Sequence, residues 1–198
     1  DGRVRSGAEY LSIWDGMTGE EKARVEWLSR TGLGDYNRIS RNLIGIAYLD
    51  GKTPSLLIAR GTYGLMKLAA YRYHNGTLDR LWHWDSAQER GRRYYGQGAH
   101  FMHCADVDND SKDEVILGSC VIDDTGKGLW STGLKHCDHC YVGDIDRDRP
   151  GLEIYYGIEP GHPRNGVCLV DARTGAIIWG INERTHHVHS RGLCSDID

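Results

Sequence analysis

"HFMHCADVDNDSKDEVILGSCVIDDTGKGLW", His100 to Trp130, sets the pattern from which the rest of the chain can be read. A β-prone run over 100–106 leads into an acidic loop. Two short apolar runs follow at 114–118 and 119–122, then a tight Asp-Asp-Thr-Gly turn, then a run over 128–132 containing Trp130. Turn residues between β-prone runs are hairpin chemistry. The stretch therefore predicts strand, acidic loop, strand, strand, tight turn, strand.

The same unit recurs outward in both directions. "DGMTGEEKARVEW" (Asp15 to Trp27), "HNGTLDRLWHW" (His74 to Trp84) and "DARTGAIIW" (Asp171 to Trp179) repeat the turn that runs into a Trp. Trp27, Trp84, Trp130 and Trp179 are 57, 46 and 49 positions apart. The acidic element repeats in "VGDIDRDRPGLEIYYG", starts again in the final "CSDID", and has a shortened form in "IAYLDGKTPSLLIAR". Further strands are expected at 43–49, 55–60, 64–74 and 78–85, and at 136–144, 153–158, 165–171 and 176–181.

Four-stranded units at this period are the mark of propeller blades. A sandwich is the alternative, and it accounts less well for the recurrence. There are about three complete blades, the tail half of one before them and the first strand of one after. Closure takes about four to eight blades. Residues 1–198 thus read as part of one all-β propeller domain, cut at both ends.

Composition agrees. Eleven Tyr and six Trp stand beside one Phe and three Met, and 26 of 198 residues are Gly, about twice the usual share. A net charge of −4 argues against a nucleic-acid or membrane-surface partner. No apolar run approaches the roughly 20 residues of a membrane span. The chain opens mid-pattern, so the lack of a signal peptide says nothing about export. Cysteines at 104, 120, 137, 140, 168 and 194 permit disulfides without requiring any.

Two loops suggest cation sites. Asp106, Asp108 and Asp110 alternate in the first, with Glu114 after them; Asp144, Asp146 and Asp148 do so in the second, followed by Glu153. Carboxylates at every second position with a later Glu resemble the oxygen cages of hard cations such as calcium. A solvated turn that blunts a strand end is the alternative. A third such loop begins at Asp196 and Asp198.

"KHCDHCYVGDID" (Lys135 to Asp146) invites a zinc or redox reading through Cys137 and Cys140. On a first strand, however, alternate side chains face opposite ways. His136 and Asp138 then share one face, and Cys137 and Cys140 fall on opposite faces as small core residues. First strands line a propeller's channel. There His136 and Asp138 meet His100, at the start of the preceding blade's first strand, and Glu159, which follows a second strand in "YYGIEPG". Two imidazoles and two carboxylates make a divalent-ion site; ligand type alone favours zinc or manganese over calcium.

The stretches "GQGAHFMHCADVDNDSKDEVILGSCVIDDTGKGLWSTGLKHCDHCYVGDIDRDRPGLEIYYGIEPG", "LVDARTGAIIWG" and "NRISRNLIGIAYLDGKTPSLLIARGTY" resemble the rhamnogalacturonan lyases of polysaccharide lyase family eleven. The resemblance covers nearly the whole chain. It implies a secreted bacterial enzyme with an eight-bladed propeller and several calcium ions, a monomer at full length. Such an enzyme cleaves the rhamnose–galacturonate backbone of the pectic polysaccharide rhamnogalacturonan I by β-elimination. It also implies a cleft calcium held by His100, His136, Asp138 and Glu159, which puts calcium first and manganese second. The family's cleft Arg corresponds to Arg191; a Lys and an Asn-Gly-Thr run would lie beyond Asp198. Cys137 departs from the family, which has a small residue there.

In β-elimination a base takes the proton on carbon five of galacturonate and the oxygen on carbon four leaves. A cation on the neighbouring carboxylate stabilises the charge that develops. Arg191, with a pKa above about 12, is expected to stabilise charge and not to act as base. Only eleven residues separate Trp179 from Arg191, which favours an open cleft and endo attack. The His-rich "NERTHHVHS" (182–190) reads as a solvated turn in preference to a cleft-rim contact. The rivals are a non-catalytic, calcium-braced module that binds glycans or proteins and, more weakly, a zinc hydrolase.

Overall fold

Strands form where β-branched and aromatic residues alternate, and they stop at turns built on Asp and Gly. The structure, a computed structural model, describes residues 2–189. β1 (Tyr10–Trp14) and β2 (Glu21–Glu26) pair as a two-stranded sheet. The next four strands form one antiparallel sheet in chain order: β3 (Asn42–Ala47), β4 (Ser55–Arg60), β5 (Lys67–His74) and β6 (Thr77–Asp85). A second such sheet comprises β7 (His103–Ala105), β8 (Glu114–Ile116), β9 (Cys120–Ile122) and β10 (Gly128–Ser131). The third comprises β11 (Cys137–Gly143), β12 (Glu153–Ile158), β13 (Val167–Asp171) and β14 (Ile177–Gly180). Helix is confined to one turn at Tyr36–Ile39 and a 3-10 turn at Arg90–Arg92 among the described residues.

The sheets stack face to face in chain order. Leu11 and Leu28 pack on Ile58 and Tyr71; Leu57, Leu68 and Trp84 pack on Val115, Leu117 and Ile122; Ile116, Val121 and Trp130 pack on Ile154, Tyr156 and Val170. The first strands lie side by side, β3 against β7 and β7 against β11. Whatever sits at the start of a first strand or the end of a second therefore gathers along one line.

A Trp over a Gly locks each four-stranded sheet to the next. The Trp130 indole donates to the Ala172 carbonyl at 3.0 Å, and its ring covers Gly175, where a Cβ would lie 2.6 Å from the ring. Trp82 does the same one sheet earlier, donating to the Asp124 carbonyl at 2.8 Å and covering Gly126, again 2.6 Å from an added Cβ. Both glycines have φ of +80° and +72°, so L side chains are excluded twice over. The repeating residue in this sheet is thus Trp82, where the sequence pattern picked Trp84. Trp84 instead turns into the core against Tyr94 and donates to Glu89 at 2.7 Å. The register shift between Ala70 and Tyr71 upsets simple counting back from the sheet's end.

Two expectations are corrected. β7 begins at His103, so His100 lies on the approach to the strand. Cys137 and Cys140 also share a face. Cys137 stands opposite Ile158 and His139 opposite Gly157, a bulge in which Asp138 is the extra residue. The bulge resets the alternation, burying both thiols in one core cluster. Both are free thiols, as are Cys104, Cys120 and Cys168.

Candidate metal centre

Three loops meet at the start of the first strands, and Gln97 ties two of them. Its side-chain oxygen accepts hydrogen bonds from the Ser119 hydroxyl at 2.9 Å and the Lys135 N–H at 3.1 Å. Lys135 sits at φ +76°, a turn that delivers the next residue, His136, into the interior. His136 is 3% exposed, and its Nδ1 donates to the Gly98 carbonyl. That contact leaves Nε2 as the outward lone pair.

Nε2 of His136 faces two carboxylates, Asp138 Oδ1 at 3.2 Å and Glu159 Oε2 at 3.2 Å. Asp138 reaches it because it is the bulged residue, and Glu159 because its N–H donates to the His136 carbonyl at 3.0 Å. His100 closes the group, its Nε2 3.7 Å from Asp138 Oδ1 and its ring edge-on to His136 at 4.8 Å. The ligand atoms of His100, His136 and Asp138 lie within 4.8 Å of one another. The four residues picked from the sequence do converge.

Electrostatics suit a cation here. Burial, the His136 ring and Arg41 push the His100 pKa down, so it stays neutral and able to ligate at ordinary pH. Burial pushes the Asp138 pKa up, but hydrogen bonding, first from His189, holds it net below the usual carboxylate range. With Nδ1 donating to Gly98, the His136 Nε2 lone pair and the carboxylate oxygens of Asp138 and Glu159 are all acceptors, which a cation between them would satisfy.

Several residues of this centre carried no sequence signal. The Tyr63 hydroxyl meets His100 Nε2 at 3.0 Å, and its ring lies 4.6 Å from that of His136. The guanidinium groups of Arg38 and Arg41 each lie 5.8 Å from the Tyr63 ring centroid. Tyr63 comes three residues after β4 whereas Glu159 directly follows β12, so the repeat did not mark it. His189 also enters, its Nδ1 bonding Asp138 Oδ2 at 2.8 Å. The tip is largely exposed, as the solvated-turn reading has it, but its end touches the candidate centre through His189.

The acidic loops differ from each other. In the first, Asp106, Asp108 and Glu114 bring ligand oxygens within 4.8 Å of one another, and Glu114 does the same with Asp123 and Asp124. Glu114 is fully buried; Oε2 accepts the Val107 N–H at 2.9 Å, while Oε1 is buried with no hydrogen-bond partner. Burial, aided by Asp108, Asp110 and Asp106, pushes its pKa up to about 8. An orphaned carboxylate oxygen amid other carboxylates fits a hard cation. Asp110 turns aside to Lys112 at 2.8 Å. In the second loop Glu153 is buried and accepts the Ile145 and Asp146 N–H groups at 2.9 Å. Asp144, Asp146 and Asp148 are not gathered with it as Asp106 and Asp108 are with Glu114. Arg191, Asp196 and Asp198 lie outside the described residues.

Stacked four-stranded antiparallel sheets with imidazoles and carboxylates where their first strands meet are one class of architecture. The chain belongs to a particular family within it: the model of the C-terminal domain of rhamnogalacturonan lyase family 11 matches residues 1–198. It is 43% identical over 203 residues to rhamnogalacturonan endolyase YesW of Bacillus subtilis (strain 168), covering 100% of this chain and 32% of that protein. It is 45% identical over 203 residues to rhamnogalacturonan exolyase YesX of the same organism, covering 100% and 33%. The crystal structure of YesW superposes with a TM-score of 0.88 at 44% identity, over 91% of this chain and 32% of that one. The chain spans about a third of the length of these relatives.

Proposed function

We propose that the protein containing this chain is a lyase of rhamnogalacturonan I, and that the cluster of His100, His136, Asp138 and Glu159 is its cation-binding centre. The convergence of these four side chains on His136 Nε2 is the observation that carries the reading. A brace between sheets needs only acidic loops, whereas inward-facing imidazoles backed by fixed hydrogen bonds serve a ligand. Calcium is the first choice for the centre, on family membership, and manganese the second, on the imidazoles.

The stacking of three four-stranded sheets with first strands side by side supports a segment of a propeller, with further blades supplied by the rest of the protein. A bound calcium supplies charge withdrawal from the galacturonate carboxylate. This chain's residues orient the site: Gly98 fixes the His136 ring, Asp138 and Glu159 hold its outer face, and Tyr63 steadies His100. Arg38 and Arg41 add positive charge beside Tyr63, suited to an anionic sugar. Arg191 is assigned to charge stabilisation, and the base to a residue elsewhere in the protein.

Endo attack remains the preferred mode. The segment after β14 is short and is tied down where Thr185 and His162 exchange backbone hydrogen bonds at 2.9 and 3.1 Å, which supports an open cleft. A polymeric substrate cannot cross a bilayer, which supports secretion. The test is ultraviolet absorbance of unsaturated uronides when the full-length protein meets rhamnogalacturonan and calcium. Absorbance that rises supports the lyase; binding without absorbance supports a non-catalytic glycan-binding module.

A further inference from the structure

The segment after β14 is seated by what its neighbours lack. Thr185 Oγ1 would lie 2.0 Å from a Cβ on Gly166, the His186 carbonyl 3.0 Å from one on Gly161, and Val188 Cγ1 3.0 Å from one on Gly157. These glycines, on β12 and the connection to β13, leave a bed in which the segment lies. The Val188 N–H reaches the Glu159 carbonyl at 3.4 Å. With Val188 turned down onto Gly157, its neighbours His187 and His189 stack on each other at 4.4 Å.

His189 is oriented as metal-ligating histidines are. Nδ1 bonds Asp138 Oδ2 at 2.8 Å, and Nε2 stands 3.9 Å from Glu159 Oε1. A carboxylate behind the ring fixes which nitrogen is offered forward. The forward separation is too long for a hydrogen bond. It is close to that of two ligands on one ion, each about 2.0–2.2 Å from the metal. Ligand atoms of Glu159, His187 and His189 lie within 4.8 Å of one another. Glu159 thus faces two ways, Oε2 to His136 at 3.2 Å and Oε1 to His189.

We propose that Glu159, His187 and His189 form a second metal site beside the inner one, selective for borderline divalent ions of the zinc and cobalt class, with Glu159 as the shared carboxylate. Two imidazoles with a single carboxylate, one carboxylate fewer than the inner centre has, favour a borderline ion over calcium, because imidazole is a softer ligand than calcium takes. Three protein ligands leave a position open to water or substrate. The site stands apart from the lyase reading, since its evidence is metal stoichiometry and not turnover.

The test is calorimetric titration of the full-length protein with zinc in saturating calcium, which fills the oxygen-only loops. Visible absorption of cobalt serves as the second readout. The wild type is expected to bind one equivalent more than the His187→Ala/His189→Ala variant, or to bind that equivalent at least about tenfold more tightly. The His187→Gln/His189→Gln variant, which keeps side-chain bulk, should lose the same equivalent. His100→Ala should retain it. Equal stoichiometry and affinity in the wild type and both double variants overturn the site. So does a His100→Ala variant that loses the same equivalent, which would place all zinc at the inner ligands.

Discussion

His136 Nε2 and Glu159 Oε2 stand 3.2 Å apart, and the same two residues are joined again through backbone, the Glu159 N–H donating to the His136 carbonyl at 3.0 Å. The pair is fixed from behind by Gln97, which holds the Lys135 N–H one residue away. Gln97→Ala removes that anchor without touching a ligand. The calcium concentration giving half-maximal uronide release should rise by about 10–100-fold, with the rate at saturating calcium largely kept. An unchanged calcium requirement would show that the loops hold His136 without Gln97.

Glu114 makes stability depend on pH when cations are withheld. Its folded pKa, raised to about 8, lies above the ordinary carboxylate value, so the uncomplexed folded state is favoured while Glu114 is protonated. In excess chelator, the Glu114 contribution to stability should be fully present below the ordinary carboxylate range and be lost as pH rises towards 8. Calcium should reverse that fall by binding only the folded state. Glu114→Gln should flatten the slope and remove this part of the calcium effect. Melting curves across pH check it; a slope unaltered in the variant contradicts it.

The strands and turns were legible because each rests on local chemistry: alternating burial in Asn42–Ala47, a continuous apolar run in Ser55–Arg60, and an Asp or Asn with a Gly at the tight turns. The His100, His136, Asp138 and Glu159 set was legible because repeats of about fifty residues return equivalent strand ends to one place. What failed was parity. One bulged residue, Asp138, put Cys137 and Cys140 on one face, and nothing in "HCDHC" announces a bulge. The seating of His187 and His189 depends on missing side chains at Gly157, Gly161 and Gly166, a tertiary fit with no periodic trace.

The buried thiols give a test of the bulge. Burial raises the thiol pKa of Cys120, Cys140 and Cys168, and Cys137 is wholly buried beside them. All four should resist alkylation in the native protein and react together on unfolding. Peptide mass mapping after brief alkylation reads the result. Rapid native labelling of Cys140 alone would mean that the strand alternates without the bulge.

Trp130 and Gly175 lock the second sheet to the third. Trp130→Ala should cost about 3–5 kcal/mol of stability through the lost buried ring. Gly175→Ala should destabilise too, because φ is +72° and the added Cβ would lie 2.6 Å from the indole. Denaturant unfolding reads both changes; a neutral Gly175→Ala would count against the lock.

The central claim, that His100, His136, Asp138 and Glu159 hold the cation on which cleavage depends, is tested most directly by uronide release against calcium concentration. The comparison is between the full-length protein and its His136→Ala and Glu159→Gln variants. The wild type should stop in excess chelator and recover with calcium. Both variants should stay slower by about 100-fold or more at every calcium concentration, while calcium still raises their melting temperatures through the Glu114 loop. Wild-type turnover in either variant, or turnover undiminished by chelator, would contradict it.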